Sequence, residues 1–283
     1  MRIKLKLGKH GSPLRLPSHY NYHLQGLIYH HLDQHLATRL HDEGIGEGTK
    51  RFRYFTFSRL MGDFQREGDS LIYPRGAVLF IASPNVEFME SFLLHLLTAG
   101  YLRIGEEEVT LHHAEMVPDP PYQREVLLKG EVLLKGEVLL KALSPITLRD
   151  TLRAQSNQRY THYLAPIDPD FSPRLIDNLR YKVCYWYGRD IEPGDAYCLP
   201  EKVDSDKNFH MVRFKDTWVK GWSGLYRFSA PPEYFAMALD AGLGERNSGG
   251  FGCVEVYRRL EKKARGKGII TSNTIAEYGQ LLD

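Results

Sequence analysis

The sequence predicts an α+β chain made of two tandem βαββαβ units. Three observations carry this prediction. Residues 1–121 read strand, helix, strand, strand, helix, strand by the spacing of their apolar positions. The same order starts again after residue 122. Pro118-Asp119-Pro120-Pro121, a run that interrupts both helices and strands, lies between them. With 283 residues, of which 42% are hydrophobic, the chain has length for two domains and apolar content for packed cores.

In the first unit, Arg2 to Leu7 alternates charge and hydrophobe and reads as a strand, with Ile3, Leu5 and Leu7 on one face. Ser18 to Leu40 reads as one helix, N-capped by Ser18, with Leu24, Leu27, Ile28, Leu32 and Leu36 as its apolar stripe. A glycine-rich loop follows from His41 to Gly48. Phe52 to Ser58 is aromatic and β-prone, and Ala77 to Ile81 is a short buried strand. Asn85 to Ala99 is an amphipathic helix stopped by Gly100, and Glu108 to Val117 returns as a strand. In the second unit, Val138 to Thr147, Phe209 to Phe214, Tyr226 to Ser229 and Phe251 to Tyr257 are the strands. Asp168 to Tyr187 and Pro232 to Ala241 are the helices. Both orders are ferredoxin-like. The domains are therefore expected at 1–121 and 122–260, followed by a basic tail at 261–283.

The hexapeptide Glu-Val-Leu-Leu-Lys-Gly fills 125–130 and 131–136, and a copy ending in Ala fills 137–142. A period of six preserves the in-and-out alternation of a strand and scatters the pattern on a helix. Eighteen residues would extend about 60 Å as one strand, so part of the repeat is expected to protrude as a hairpin or loop.

Composition excludes several classes. No apolar run approaches the length of a membrane helix, and the charged N-terminus is not a signal peptide. Cys184, Cys198 and Cys253 form no CxxC pair and leave one over, as in a disulfide-free cytoplasmic protein. His19/His23 and His31/His35 have helical metal-ligand spacing, but no HExxH or acidic cluster accompanies them, so no metal or other cofactor is expected. Net charge is +2, which on its face names no partner. Its distribution is uneven: residues 1–59 hold ten Lys/Arg against four Asp/Glu, and 60–141 hold seven against thirteen. Seven of the twelve histidines lie in the first 41 residues. Basic residues, His and Tyr concentrated together suit an RNA-handling face, with residues 60–141 turned away from it.

The most specific motif is Gly242-Leu243-Gly244-Glu245-Arg246-Asn247-Ser248-Gly249-Gly250-Phe251-Gly252, between a helix and a strand. It resembles the glycine-rich loop of the RAMP superfamily, the RNA-binding proteins of CRISPR systems. Within that superfamily the chain resembles the Cas-six family, the endoribonucleases that cut precursor CRISPR RNA. His23 to Tyr29 resembles that family's first helix. His41 with Phe55-Thr56-Phe57-Ser58 resembles its catalytic-loop region. Leu143 to Ile146 resembles the first strand of its second domain. The likeness runs from residue 3 to about 256; the hexapeptide repeat and the tail depart from it.

The resemblance implies metal-free cleavage: a ribose 2′-hydroxyl attacks the adjacent phosphate, leaving a 2′,3′-cyclic phosphate or 3′-phosphate and a 5′-hydroxyl. That chemistry needs a base, an acid and a cation for the phosphorane charge. His41, at a helix end, is the first candidate, since an imidazole can take or give a proton near neutral pH. Tyr29 is the second. A phenol with pKa near 10 is a poor base at neutral pH, so positioning of the 2′-hydroxyl is its expected role. It precedes His41 by about 18 Å of continuous helix, so the two meet only if the chain turns back after the helix. The third is Lys50 by residue type, or Arg53 by its spacing to Phe55-Thr56; Arg51 also qualifies. Arg53, Gly242, Gly244, Arg246, Asn247, Ser248, Gly250 and Gly252 are candidate RNA-binding residues, the glycines by baring backbone N–H groups to phosphates. The implied partners are CRISPR repeat RNA and other CRISPR effector-complex proteins, with the chain a monomer or homodimer. A non-catalytic guide-RNA-binding scaffold of the same superfamily is the alternative.

Overall fold

A computed structural model of the chain describes residues 1–48, 50–118, 137–153 and 159–260. The first half runs β1 (Arg2–Gly8), β2 (Leu14–Pro17), α1 (Asn21–His30), α2 (Gln34–Thr38), a π-helical turn (Arg39–Glu43), β3 (Ile45–Glu47), β4 (Lys50–Phe52), β5 (Thr56–Phe57), β6 (Gln65–Glu67), β7 (Ser70–Tyr73), β8 (Ala77–Ala82), α3 (Val86–Thr98), β9 (Leu102–Ile104) and β10 (Glu107–Val117). The main sheet has the order β5-β8-β1-β10-β9, antiparallel throughout. Alternation along β1 buries Ile3, Leu5 and Leu7 against α1 and α3, where Leu24, Ile28, Phe88 and Phe92 complete the core. Each such side chain withdrawn from water stabilises the fold by about 1.5–3 kcal/mol.

The second half runs β11 (Glu137–Ile146), β12 (Arg149–Arg153), β13 (Arg159–Tyr163), α4 (Phe171–Tyr187), β14 (Tyr197–Lys202), β15 (Phe209–Phe214), β16 (Thr217–Ser229), α5 (Pro232–Asp240), a short 3-10 turn (Asn247–Gly249) and β17 (Val254–Leu260). Its sheet has the order β14-β16-β11-β17, with β15 paired to the first half of β16. The four strands of each unit thus lie in the same spatial order, second-third-first-fourth, and the fold is two tandem ferredoxin-like units.

Four expectations change. The helix expected over 18–40 is broken. His31 closes α1 with its Nδ1 2.8 Å from the Leu27 carbonyl. Asp33 then starts α2, its Oδ1 accepting from the His35 and Leu36 amides at 2.9 and 3.2 Å. A side chain that satisfies the free amides of a new first turn makes the break favourable. Ser18 is not the cap of α1; Tyr20 holds that position without a side-chain bond. The strand expected over 52–58 divides into β4 and β5 because Tyr54 has φ 50°, outside the extended region. In the second unit, the second strand is Tyr197–Lys202 and not Phe209–Phe214. β14 contains Pro200, which is tolerated because β14 is an edge of the sheet.

The third hexapeptide copy forms the start of β11, with Val138, Leu139 and Leu140 all buried. The first two copies, the expected boundary at 121/122 and the tail at 261–283 lie outside the described residues. No helix among the described residues is long and apolar enough to cross a membrane.

Candidate nucleic-acid interface and active site

The two units meet along a cleft of about 980 Å³. One wall is the α1 end, the His41 loop and the 50–55 segment; the other is α4, the 148–150 segment and the glycine-rich loop. Eight Lys/Arg line it against three Asp/Glu, so its field favours a polyanion. None of the described residues of 60–141 lines it. The basic charge of residues 1–59 is only partly there, however. Lys4 and Lys9 pair with Glu115 and Glu107 on β10, while Arg149, Arg174, Lys215 and Arg246 bring charge to the cleft from the second unit.

The break after α1 brings Tyr29 and His41 together. Their rings meet edge to face with centroids 5.7 Å apart, and Tyr29 also meets Phe55 at 5.7 Å. The Tyr29 hydroxyl is buried, with the Arg53 guanidinium beside it. Burial raises its pKa, against the pull of the Arg53 charge. His41 is exposed at the mouth of the cleft, its Nδ1 2.7 Å from Asp42 Oδ1. When Nδ1–H is donated to Asp42, Nε2 is the nitrogen left for proton transfer.

The three basic residues divide. Arg53 donates from Nη2 to the His41 carbonyl at 2.8 Å and acts electrostatically on Tyr29, so it sits with both. Arg51 donates to the Glu43 carbonyl at 3.2 Å. Lys50 lies across the cleft mouth with Nζ 2.9 Å from the centroid of the Tyr181 ring on α4, a cation–π contact.

At Gly250 and Gly252 the glycine-rich loop differs from expectation. The N–H groups of Leu243, Glu245, Gly249, Gly250 and Gly252 all donate to protein carbonyls, so none of these five is bare for a phosphate. Gly242, Gly244, Gly250 and Gly252 have φ of 84°, 68°, 82° and 70° and are packed against protein. A Cβ on Gly250 would lie 2.3 Å from the Phe57 ring, and one on Gly252 1.8 Å from the Leu243 carbonyl oxygen. Gly242 and Gly250 permit close approach to the first unit, and Gly244 and Gly252 close packing within the second. Asn21 Nδ2 donates to the Gly249 and Gly250 carbonyls at 3.0 and 3.1 Å, and Gln25 Nε2 to the Ser248 carbonyl at 2.8 Å. The loop is thereby fastened to the helix that carries Tyr29. Gly244, Arg246, Asn247 and Ser248 reach the cleft, and Arg246 Nε has no partner among the described residues.

Sequence reading passed over Lys182. It continues the buried stripe Leu175-Leu179 of α4 and is itself 1% exposed. Its Nζ donates to the carbonyls of Gly242 and Gly244 at 2.7 and 2.8 Å and to Asn247 Oδ1 at 2.7 Å. A lysine inside an apolar helical stripe was the available signal. The paired histidines are engaged separately: His19 accepts from the Arg213 amide at 3.3 Å, and His31 caps α1. No group of three or more His, Cys, Asp or Glu suited to a metal occurs among the described residues.

Comparison with known proteins agrees with this architecture. Residues 15–115 match the family model for CRISPR-associated protein Cas6, N-terminal, and 128–256 match that for CRISPR associated protein Cas6, C-terminal. The CRISPR-associated endoribonuclease Cas6 1 of Methanocaldococcus jannaschii is 28% identical, over 94% of this chain and 98% of the relative. The CRISPR-associated endoribonuclease Cas6 of Pyrococcus furiosus is 24% identical, over 93% and 92%. A solved structure of a Cas6-related gene product from Pyrococcus furiosus superposes with a TM-score of 0.74 at 21% identity, covering 90% of this chain and 98% of that one. Both halves match the halves of one family, in order and over about four-fifths of the sequence, and the chain belongs to the CRISPR-associated Cas6 family.

Proposed function

We propose that the protein is a metal-independent endoribonuclease that binds CRISPR repeat RNA in the basic cleft and cuts precursor CRISPR RNA. The observation that carries this reading is the Tyr29–His41 contact at the mouth of that cleft, with Arg53 acting on both. The endoribonuclease relatives support the reaction class.

In this reading the nucleophile belongs to the substrate. His41 exchanges a proton through Nε2 with the 2′-hydroxyl or the departing 5′-oxygen. An imidazole does either near neutral pH. Tyr29, kept protonated by burial, donates a hydrogen bond that orients the 2′-hydroxyl or a phosphate oxygen. The phosphorane charge is met by a cation of the 50–53 segment. Arg53 stands nearer this role than Lys50, which Tyr181 engages on the opposite wall. Arg246 and Ser248 meet the RNA backbone from the glycine-rich loop. The products are a 2′,3′-cyclic phosphate, or a 3′-phosphate after its opening, and a 5′-hydroxyl.

The test is cleavage of a repeat RNA from the source genome in excess EDTA. Cutting persists, and a single 2′-deoxy substitution at the scissile nucleotide abolishes it. Loss of cutting in EDTA overturns the mechanism; cutting of the 2′-deoxy substrate overturns the nucleophile. Binding without cutting favours the scaffold.

A further inference from the structure

The cleft reading leaves one buried charge without a role. Lys182 is closed off from solvent, yet all three of its N–H donors are used on a single loop. Its Asn247 partner donates from Nδ2 to the Leu243 and Phe251 carbonyls at 2.9 and 3.0 Å, so the ammonium and one amide together draw residues 242–251 into a ring. The ring is tight enough to hold Arg246 at φ 55°, a conformation that side-chain-bearing residues rarely adopt. The Lys182 carbonyl in turn accepts from the Tyr54 hydroxyl at 2.8 Å, beside the Lys50–Arg53 segment. One residue therefore touches the loop and the segment that carries the candidate cations. The loop in its turn is bonded to α1.

We propose that Lys182 is a positioning residue for RNA binding: its ammonium closes the glycine-rich loop and fixes the geometry in which Arg246 and Ser248 meet RNA. The RNA part of this proposal rests on the function proposed above. A buried ammonium is costly and persists where acceptors surround it. Here they are two carbonyls and an amide oxygen, and no carboxylate among the described residues pairs with it directly. Burial pushes the Lys182 pKa down to about 7, against the raising effect of Glu245 on the loop. A neutral amine has two donors and a lone pair, so one of the three acceptors then loses its bond and faces a lone pair instead. The loop should loosen as the proton leaves. The charged and titratable groups around it are Glu245, which pairs with Arg149 of β12, the Tyr54 hydroxyl on the Lys182 carbonyl, and Arg246; His41 lies elsewhere in the same cleft.

The experiment compares the full-length parent, Lys182→Met and Glu245→Gln across about pH 6 to 8.5, a range that spans neutral titration. Circular dichroism establishes folding. Hydrogen exchange at the Gly249 and Gly250 amides, without RNA, reads the loop directly. Affinity for the repeat RNA and the rate at saturating RNA read its consequence. Lys182→Met is expected to speed that exchange and weaken RNA binding about tenfold below neutral pH, the size of one charged contact to RNA lost when the loop loosens. Its saturating rate stays within about threefold, because Tyr29 and His41 still meet, and the parent's loss of affinity with rising pH disappears. Glu245→Gln moves that loss to lower pH. A folded Lys182→Met with parental exchange and parental affinity overturns the proposal. If Lys182→Met does not fold, an unshifted exchange profile in Glu245→Gln overturns it. If the parent itself neither binds nor cuts the RNA, the proposed function fails; the RNA role fails with it, while the exchange data still decide whether Lys182 closes the loop.

Discussion

Tyr29 and His41 meet edge to face at 5.7 Å although a continuous helix would hold them about 18 Å apart. The meeting depends on Asp33, which ends one helical run by starting another. Asp33→Ala removes the acceptor for two amides and favours rejoining of α1 and α2. It should lower the melting temperature and slow cleavage at saturating RNA while leaving RNA affinity unchanged. Parental cleavage in this variant would separate the helix break from the chemistry.

The paired rings predict unequal effects. His41→Ala removes the proton-transfer group and should slow single-turnover cleavage by about 10²–10⁴-fold. Tyr29→Phe removes one oriented hydrogen bond and should slow it by about tenfold. Because burial raises the Tyr29 pKa, the phenol stays protonated through neutral pH. The pH–rate profile of Tyr29→Phe should therefore keep the shape of the parent's, at lower height. Loss of a limb of that profile would make Tyr29 the base.

Arg53 and Lys50 come apart on their contacts. Arg53→Ala loses the bond to the His41 carbonyl and the charge beside Tyr29, so both position and phosphorane stabilisation suffer. Lys50→Ala loses the contact with Tyr181. Arg53→Ala is expected to lower the saturating rate about 10²-fold, the size of one lost transition-state donor. Lys50→Ala should chiefly raise the RNA Kd and flatten its salt dependence by about one unit of slope. The reverse pattern would return the cation's role to Lys50.

What the sequence made legible follows from period and punctuation. Ile3, Leu5 and Leu7 alternate, and the strand is there; the apolar stripe after Asn85 is a helix, stopped before Gly100 as its composition suggests. The glycine-rich loop stood out because its composition is rare, and its place between α5 and β17 agrees. Its physical role was not legible, since whether a bare amide faces solvent or the Thr147 carbonyl depends on a partner about a hundred residues away. Apolar periodicity ran through residues 31–33 because Leu32 stays buried across the break, and only the Asp33 side chain shows where the helix restarts. Phe209 to Phe214 does form a strand, β15, and that β14 rather than β15 is the second strand of the unit is a property of the assembled sheet.

The loop's glycines and its polar residues should separate stability from binding. Gly250→Ala places a methyl 2.3 Å from the Phe57 ring and 2.7 Å from Asn21 Nδ2, at φ 82°. The ring belongs to the first unit's core and has no open side to move into. Left-handed strain of about 1–2 kcal/mol adds to an overpacking cost of about 1–3 kcal/mol, so the variant should melt well below the parent. Arg246→Gly moves the other way. It relieves a left-handed side chain at φ 55° and removes a charge from the cleft. Its melting temperature should equal or exceed the parent's, while RNA affinity falls and the salt slope drops by about one. The measurement is a melt beside a salt titration for each variant. If Gly250→Ala melts like the parent but loses RNA, the glycines contact the phosphates after all. If Arg246→Gly keeps full affinity, the loop serves only to join the two units.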